Sequence, residues 1–193
     1  MAKLHFHYST MNAGKSTLLL QAAHNYKEMG MDTVLLTADF DSRAGQGKIA
    51  SRIGISEKAE LYNQKSNLYN LISKKIKKRI LACVLVDEAQ WLSPEQVWQL
   101  ADVVDDLSIP VICYGLRVDF LGELFPGSAK LLAIADEMRE VRTICHCGRK
   151  ATMVIRKSSD GKVQTTGDQI QVGGNEMYYS LCRRHWKEAV KKK

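Results

Sequence analysis

No apolar run in this chain approaches the roughly 20 residues that a membrane-spanning helix requires. The N-terminus carries no long apolar segment of the secretory kind. Both absences lead us to expect a soluble, cytoplasmic protein with no membrane partner. Cysteine is also sparse, five residues at uneven spacing, and an odd set of this kind suits thiols or metal ligands in a reducing compartment better than a disulfide framework. Internal repeats and low-complexity tracts are absent. Aromatic residues make up 7% of the chain, and none interleaves with the basic run Lys74-Lys75-Ile76-Lys77-Lys78-Arg79, which therefore lacks a stacking surface for nucleic acid. Leu68, Leu71, Ile72, Ile76 and Ile80 recur there at helical spacing, so the lysines are expected on the solvent face of an amphipathic helix. The terminal Lys191, Lys192 and Lys193 read as a frayed tail.

What is present points elsewhere. A chain of 193 residues with 45% apolar content can bury one full core and add one small module. Its net charge of +7 suits a protein that handles anions, nucleotides among them. Up to about residue 140 the pattern alternates, with strands expected at 3–8, 33–38, 81–86 and 110–115 and helices at 15–29, 67–79 and 93–107. That alternation predicts an α/β fold, a parallel sheet with helices on both faces. Ser93-Pro94-Glu95-Gln96 supplies an N-cap, a proline in the first turn and a capping-box partner for the third helix. Residues 39–59 hold three glycines and two arginines with little apolar periodicity, which predicts a long loop of the kind that serves as a lid.

The segment from Tyr8 to Ser16 joins the first strand to the first helix and carries the chemistry. It meets the phosphate-loop pattern G-x-x-x-x-G-K-[ST] at Gly14, Lys15 and Ser16, but Ser9 stands where the first glycine belongs. A turn feeding a helix N-terminus aims N–H groups and the positive end of the helix dipole at phosphate oxygens. Ser9, Thr10, Met11, Asn12, Ala13 and Gly14 would form that cradle, Lys15 would reach the β- and γ-phosphates, and the Ser16 hydroxyl would ligate Mg²⁺. The apolar run Ala82 to Val86 reads as a buried strand ending in Asp87-Glu88-Ala89-Gln90. Ligands bind at that edge of an open α/β sheet, so Asp87 would meet the metal and Glu88 would accept a proton, provided this strand neighbours the first.

A second constellation lies beyond residue 140, among short strand-like pieces and glycine turns. Cys145-His146-Cys147-Gly148 and Cys182-Arg183-Arg184-His185 are two close ligand pairs held apart by an insert, the pattern of a structural zinc site. Cys145, Cys147, Cys182 and His185 form the expected quartet, with His146 an alternative pointing away. Cys83 and Cys113 sit in apolar strands and read as small core residues.

A phosphate loop, an Asp-Glu at a strand end, the run Gly115-Leu116-Arg117-Val118-Asp119-Phe120 and a glycine-bearing segment Gly173-Gly174-Asn175-Glu176-Met177-Tyr178 occur here in order, together with a C-terminal zinc ribbon. In this order they resemble the small, zinc-containing, bacterial-type class of cytosolic thymidine kinases, over essentially the whole chain. The resemblance implies a P-loop nucleotide-binding domain over 1–140 and a zinc-ribbon and lasso domain over 141–193. It implies ATP-dependent phosphorylation of the 5′-hydroxyl of thymidine, and of deoxyuridine, for nucleotide salvage, with ATP, Mg²⁺ and structural Zn²⁺. By position Glu88 matches the general base, Lys15, Ser16 and Asp87 the phosphate and Mg²⁺ contacts, with Gln90 beside them, and Arg43, with Arg52, the arginines of the mobile loop. Met11, Leu116, Phe120 and Phe125 match an apolar wall around thymine. Gln169, Ile170, Gln171, Val172 and Gly173 match a loop that reads the base by main-chain groups, with Tyr178 beside it. A homotetramer and feedback inhibition by dTTP are implied as well.

The chain departs from the family pattern twice. Ser9 must reach its turn with φ values open to an ordinary residue, and the zinc quartet has three cysteines and a histidine where other members use four cysteines. Zinc accepts either set. The alternatives are another P-loop nucleoside kinase, an NTPase in which Glu88 activates water, and a nucleic-acid-binding protein.

Overall fold

The computed structural model describes residues 1–40, 45–76, 80–169 and 176–191. Six strands form one parallel sheet: β1 (Leu4–Ser9), β2 (Asp32–Ala38), β5 (Glu60–Tyr62), β6 (Leu81–Val86), β7 (Val111–Leu116) and β8 (Glu137–Glu140), in the order β5-β2-β6-β7-β1-β8. The central strands β2, β6 and β7 are apolar on both sides because helices cover both faces, as parallel sheets require, while the edge strand β8 is polar and exposed. On one face Phe6, Leu36, Val84, Val86 and Cys113 pack under Leu68 and Ile72 of α2 (Leu68–Ile76), Leu100 and Val103 of α3 (Pro94–Leu107), and Leu131 of α4 (Pro126–Ile134). On the other, Leu35, Cys83, Leu85 and Tyr114 meet Leu19, Leu20 and Ala23 of α1 (Lys15–Glu28). Cys83 and Cys113 are fully buried in these layers, and burial pushes the Cys83 thiol up to about 11, the behaviour of an inert core residue.

Helix α3 starts as its sequence specifies. Ser93 Oγ accepts from the Gln96 N–H at 3.1 Å, and Gln96 Oε1 accepts from the Ser93 N–H at 3.0 Å, a reciprocal cap worth about 1 kcal/mol. Three features go beyond or against the sequence pattern. First, strand order, which the pattern leaves open, puts β7 between β1 and β6, so the Asp87 strand does not neighbour the phosphate-loop strand. Second, the 39–59 loop contains a hairpin, β3 (Lys48–Ala50) against β4 (Ser56–Lys58). Its strands are too short for their alternation to show in the sequence, and only the buried Ile49 packs on the α1 face. Third, Ile80 is 92% exposed and adds nothing to the apolar stripe of α2, which buries Leu68 and Ile72. Lys77, Lys78 and Arg79 lie outside the described residues.

After β8 the chain builds a smaller unit. An antiparallel pair, β9 (Met153–Arg156) and β10 (Tyr178–Leu181), is followed by α5 (Arg183–Lys191). Cys145, Ala151, Ile155, Leu181 and Cys182 form its buried cluster, with Trp186, Ala189 and Val190 of α5 against it. The indole Nε1 of Trp186 donates to the carbonyls of Val154 at 3.0 Å and Phe120 at 3.2 Å, tying the helix to the loop after β7. Among the described residues no helix is long and apolar enough to cross a membrane.

Candidate active site

The phosphate loop leaves the end of β1 at the carboxyl edge of the sheet. Ser9 is the last residue of that strand, paired with Leu116, and is absent from the residues with positive φ. No glycine is needed there. Its buried hydroxyl instead donates to the Val141 carbonyl, and the Val141 N–H donates to the Tyr8 carbonyl at 2.9 Å. The left-handed positions fall later, at Asn12 (φ 62°) and Gly14 (φ 81°), residue types that tolerate that region. Gly14 caps α1, and the Leu18 N–H donates to its carbonyl at 3.0 Å. Lys15 Nζ donates to the Thr10 carbonyl at 2.8 Å, so the ammonium lies across the mouth of the loop. Thr10 is buried while Asn12 and Gly14 are exposed.

Asp87 and Glu88 follow β6 at the same edge. Although β7 separates β6 from β1, the Ser16 hydroxyl and the Lys15 ammonium both act on the Asp87 carboxyl and favour its charged form. Asp87 is buried, and burial together with the neighbouring Glu88 pushes its carboxyl up to about 7 against the pull of Ser16, the Glu88 N–H and Lys15. A carboxylate so poorly compensated beside a hydroxyl is the hard-oxygen donor pair a Mg²⁺ ion takes. Glu88 has φ 52° and ψ 39°, a conformation that costs a non-glycine residue about 1 kcal/mol or more and persists only where neighbours impose it.

Those neighbours can be named. Gln90 Nε2 donates to Glu88 Oε2 at 2.6 Å, while Gln90 Oε1 accepts the Leu116 N–H at 2.9 Å. Tyr62 donates its hydroxyl to the Glu88 carbonyl at 3.3 Å. The single 3₁₀ turn Ala89–Trp91 is pressed against α4, where a Cβ on Gly127 would lie 2.6 to 2.9 Å from the carbonyl oxygens of Ala89, Leu92 and Gln90. Gln90, 1% exposed, is thus an internal strut to Glu88 and β7. Sequence reasoning missed Tyr62 and Gly127, since nothing local marks either as a neighbour of this turn.

A second group of expected residues gathers after β7. Met11, Phe120 and Tyr178 share one apolar cluster with Val154, Leu121 and Met177. Leu116 and Phe125 are buried at the end of β7 and at the N-cap of α4. Asp119 Oδ1 accepts the N–H groups of Leu121 and Glu123 at 2.8 and 2.9 Å, and its Oδ2 accepts Gln169 Nε2 at 2.9 Å. Ser180 Oγ donates to the Met11 carbonyl at 2.6 Å, joining β10 to the phosphate loop. Val154 escaped the sequence reading because it is one apolar residue in a short strand. Arg43, Ile170, Gln171, Val172 and Gly173 lie outside the described residues, and Arg52 is exposed in the hairpin turn.

Cys145, Cys147, Cys182 and His185 converge, one ligand atom from each lying within 4.8 Å of the others. The Sγ atoms of Cys147 and Cys182 are 3.9 Å apart, too far for a disulfide. His185 Nδ1 lies 3.3 and 3.5 Å from the Sγ atoms of Cys145 and Cys182. A tetrahedral Zn²⁺ with ordinary bond lengths spaces its ligand atoms about 3.4 to 3.8 Å apart, so the set fits the ion. Burial works against a Cys145 thiolate, but the N–H groups of Cys147 and Cys182 and the side chains of His185 and Cys147 outweigh it and bring the thiol down to about 6. The left-handed Gly148 closes the turn through a 2.9 Å bond to the Cys145 carbonyl. His146 stacks on the His185 ring, centroids 4.3 Å apart, and stands outside the quartet.

Comparison with known proteins agrees with this geometry. A family model described as thymidine kinase matches residues 2–186. A thymidine kinase of Jannaschia sp. is 68% identical over 190 residues, 98% of this chain and 97% of that protein. One from Ruegeria pomeroyi is 66% identical over 98% of this chain and 96% of its own, and one from Agrobacterium fabrum is 61% identical over 97% of each. The chain belongs to the thymidine kinase family.

Proposed function

We propose that this thymidine kinase transfers the γ-phosphoryl group of ATP to the 5′-hydroxyl of thymidine, and of deoxyuridine, with Glu88 as the general base. The carrying observation is the carboxyl edge of the sheet, where Ser16 and Lys15 of the phosphate loop act on the buried Asp87 carboxyl and Glu88 is braced one residue further by Gln90. The nucleoside oxygen forms its bond to the γ-phosphorus as the bond from phosphorus to the β,γ-bridging oxygen breaks. The hydroxyl proton passes to Glu88, and ADP leaves. Lys15 and the N–H groups of the loop neutralise phosphate charge. Mg²⁺, which Ser16 and Asp87 would hold, supplies charge neutralisation at the phosphate oxygens when bound. Zn²⁺ on Cys145, Cys147, Cys182 and His185 would cross-link the C-terminal unit. We place thymine against Met11, Leu116, Phe120, Phe125 and Tyr178, read by main-chain groups of Gln169 through Gly173, with Arg43 neutralising charge from the 39–59 segment. The proposal extends to the division at about residue 140, a cytoplasmic homotetramer and feedback inhibition by dTTP.

Main-chain reading has a selective consequence. Cytosine presents an amino donor where thymine presents a carbonyl, and a mismatched pair leaves buried groups unpaired. With ATP and Mg²⁺ the enzyme is expected to phosphorylate thymidine and deoxyuridine and to reject deoxycytidine. Equal rates on deoxycytidine would overturn the reading of base choice.

A further inference from the structure

Arg156 ends β9 with 2% of its surface exposed, although it carries a full positive charge. Among the described residues no carboxylate lies within ion-pair distance of it. A guanidinium is costly to bury unless its donors find partners, and here Nε and Nη1 each find one. Nη1 donates to the Asp168 carbonyl at 2.8 Å, and Nε donates to Gln164 Oε1. The Gln164 N–H in turn donates to the Arg156 carbonyl at 2.8 Å. The guanidinium carbon lies 3.8 Å from the centroid of the Phe120 ring, a cation–π contact in a water-poor setting. A Cβ on Gly167 would come within 2.8 Å of Nη2, so a side chain there would have to displace the guanidinium as well as adopt a strained backbone (φ 123°).

These contacts join two pieces of the nucleoside end that are distant in sequence. Phe120 belongs to the loop after β7, whose bend is pinned by Asp119. The segment 164–169 returns to the same Asp119 through Gln169. Arg156 is a second tie between the same two pieces, and across the β9–β10 pair it stands opposite Tyr178, a member of the Phe120 cluster. We propose that Arg156 is a positioning residue for nucleoside selection: it fixes the plane of Phe120 and locks the 164–169 segment to it, so that the apolar wall is formed before the base arrives. The inference rests on the reading of Phe120 as part of the thymine wall. Lysine cannot replace arginine in this role, because an ammonium offers neither the planar stack nor the two-directional fork.

The test compares Arg156→Met, Arg156→Lys, Gly167→Ala and Phe120→Leu in the full-length enzyme. Kd is measured separately for thymidine and ATP, and KM and kcat for each substrate. The expected result is a thymidine Kd raised about tenfold or more by Arg156→Met and by Arg156→Lys, with the ATP Kd within about twofold of the parent. Arg156→Lys, which keeps the charge, keeps the test decisive if Arg156→Met fails to fold; Gly167→Ala, which crowds the guanidinium and also strains the backbone, is expected to shift in the same direction. Combining Arg156→Met with Phe120→Leu is expected to cost less than the sum of the two. If Phe120→Leu weakens thymidine but the Arg156 and Gly167 variants bind it like the parent, the positioning role is wrong and the wall reading stands. Parallel loss of ATP affinity would make Arg156 a general structural residue and equally overturn the role. If Phe120→Leu leaves thymidine affinity unchanged, the wall reading fails and the inference with it.

Discussion

The phosphate end of the site is built on backbone, with Ser9 in the ladder of β1, Gly14 at the mouth of α1 and Asp87 at the end of a central strand. The nucleoside end depends on side chains: the Asp119 carboxylate, the Arg156 guanidinium, the Trp186 indole and a four-residue Cys/His cluster. Backbone ladders are shared with the whole sheet and are lost only when the core unfolds. Side-chain ties and a Cys/His cluster can be lost one at a time. On the proposed assignment of the two ends, the comparison predicts that nucleoside binding and nucleotide binding can be lost separately.

The strongest test of separability removes the cluster. Cys145→Ser is expected to abolish bound zinc, read by metal analysis, and to weaken thymidine by about a hundredfold or more, since ligand loss removes metal-coupled folding energy of that region. ATP binding, followed by calorimetry, is expected to stay within about threefold of the parent. Equal loss of both would show that the two ends fold as one unit.

The phosphate end should break differently. Gly127→Ala forces a methyl group against the carbonyl oxygens of Ala89, Gln90 and Leu92 and is expected to cost about 2 to 3 kcal/mol of stability, read from denaturant midpoints. Gln90→Leu is expected to lower kcat about tenfold with the KM for ATP unchanged, because the strut to Glu88 is lost. A raised KM for ATP with normal kcat would instead make Gln90 a nucleotide contact. The smallest effect lies on β1. Burial, reinforced by Arg139 and His5, holds His7 down to about 4, below its unfolded value of 6.5. The unfolded chain takes up the proton first, so this contribution is complete above pH 6.5 and is lost as the pH falls toward 4. His7→Phe, packed on Tyr114, is expected to flatten the fall of unfolding free energy across that window by about 1 kcal/mol, discounted because the ring is only partly buried.

Signals confined to a few neighbouring residues were legible in the sequence. The Ser93 capping box, the loop from Ser9 to Ser16 and the two close Cys/His pairs each carry their meaning within four to eight residues, and the structure assembles the capping box and the metal cluster as the spacing predicts. Features made by distant partners were not legible. Ser9 looked like a defective glycine until Val141 supplied its acceptor. The insertion of β7 between β6 and β1 has no local signature, and the hairpin within 39–59 is too short to show alternation. Arg156 and Val154 acquire significance only through Phe120, more than thirty positions earlier in the chain.

The most direct test of the account is thymidine monophosphate formation from ATP and thymidine, comparing the parent enzyme with Glu88→Gln. The account predicts product from the parent, and a turnover reduced by about a hundredfold to ten-thousandfold in the variant with ATP and thymidine still bound. A variant that turns over thymidine at the parental rate would contradict the assignment of Glu88 as the base. A parent that hydrolyses ATP without making thymidine monophosphate would contradict the phosphoryl transfer itself.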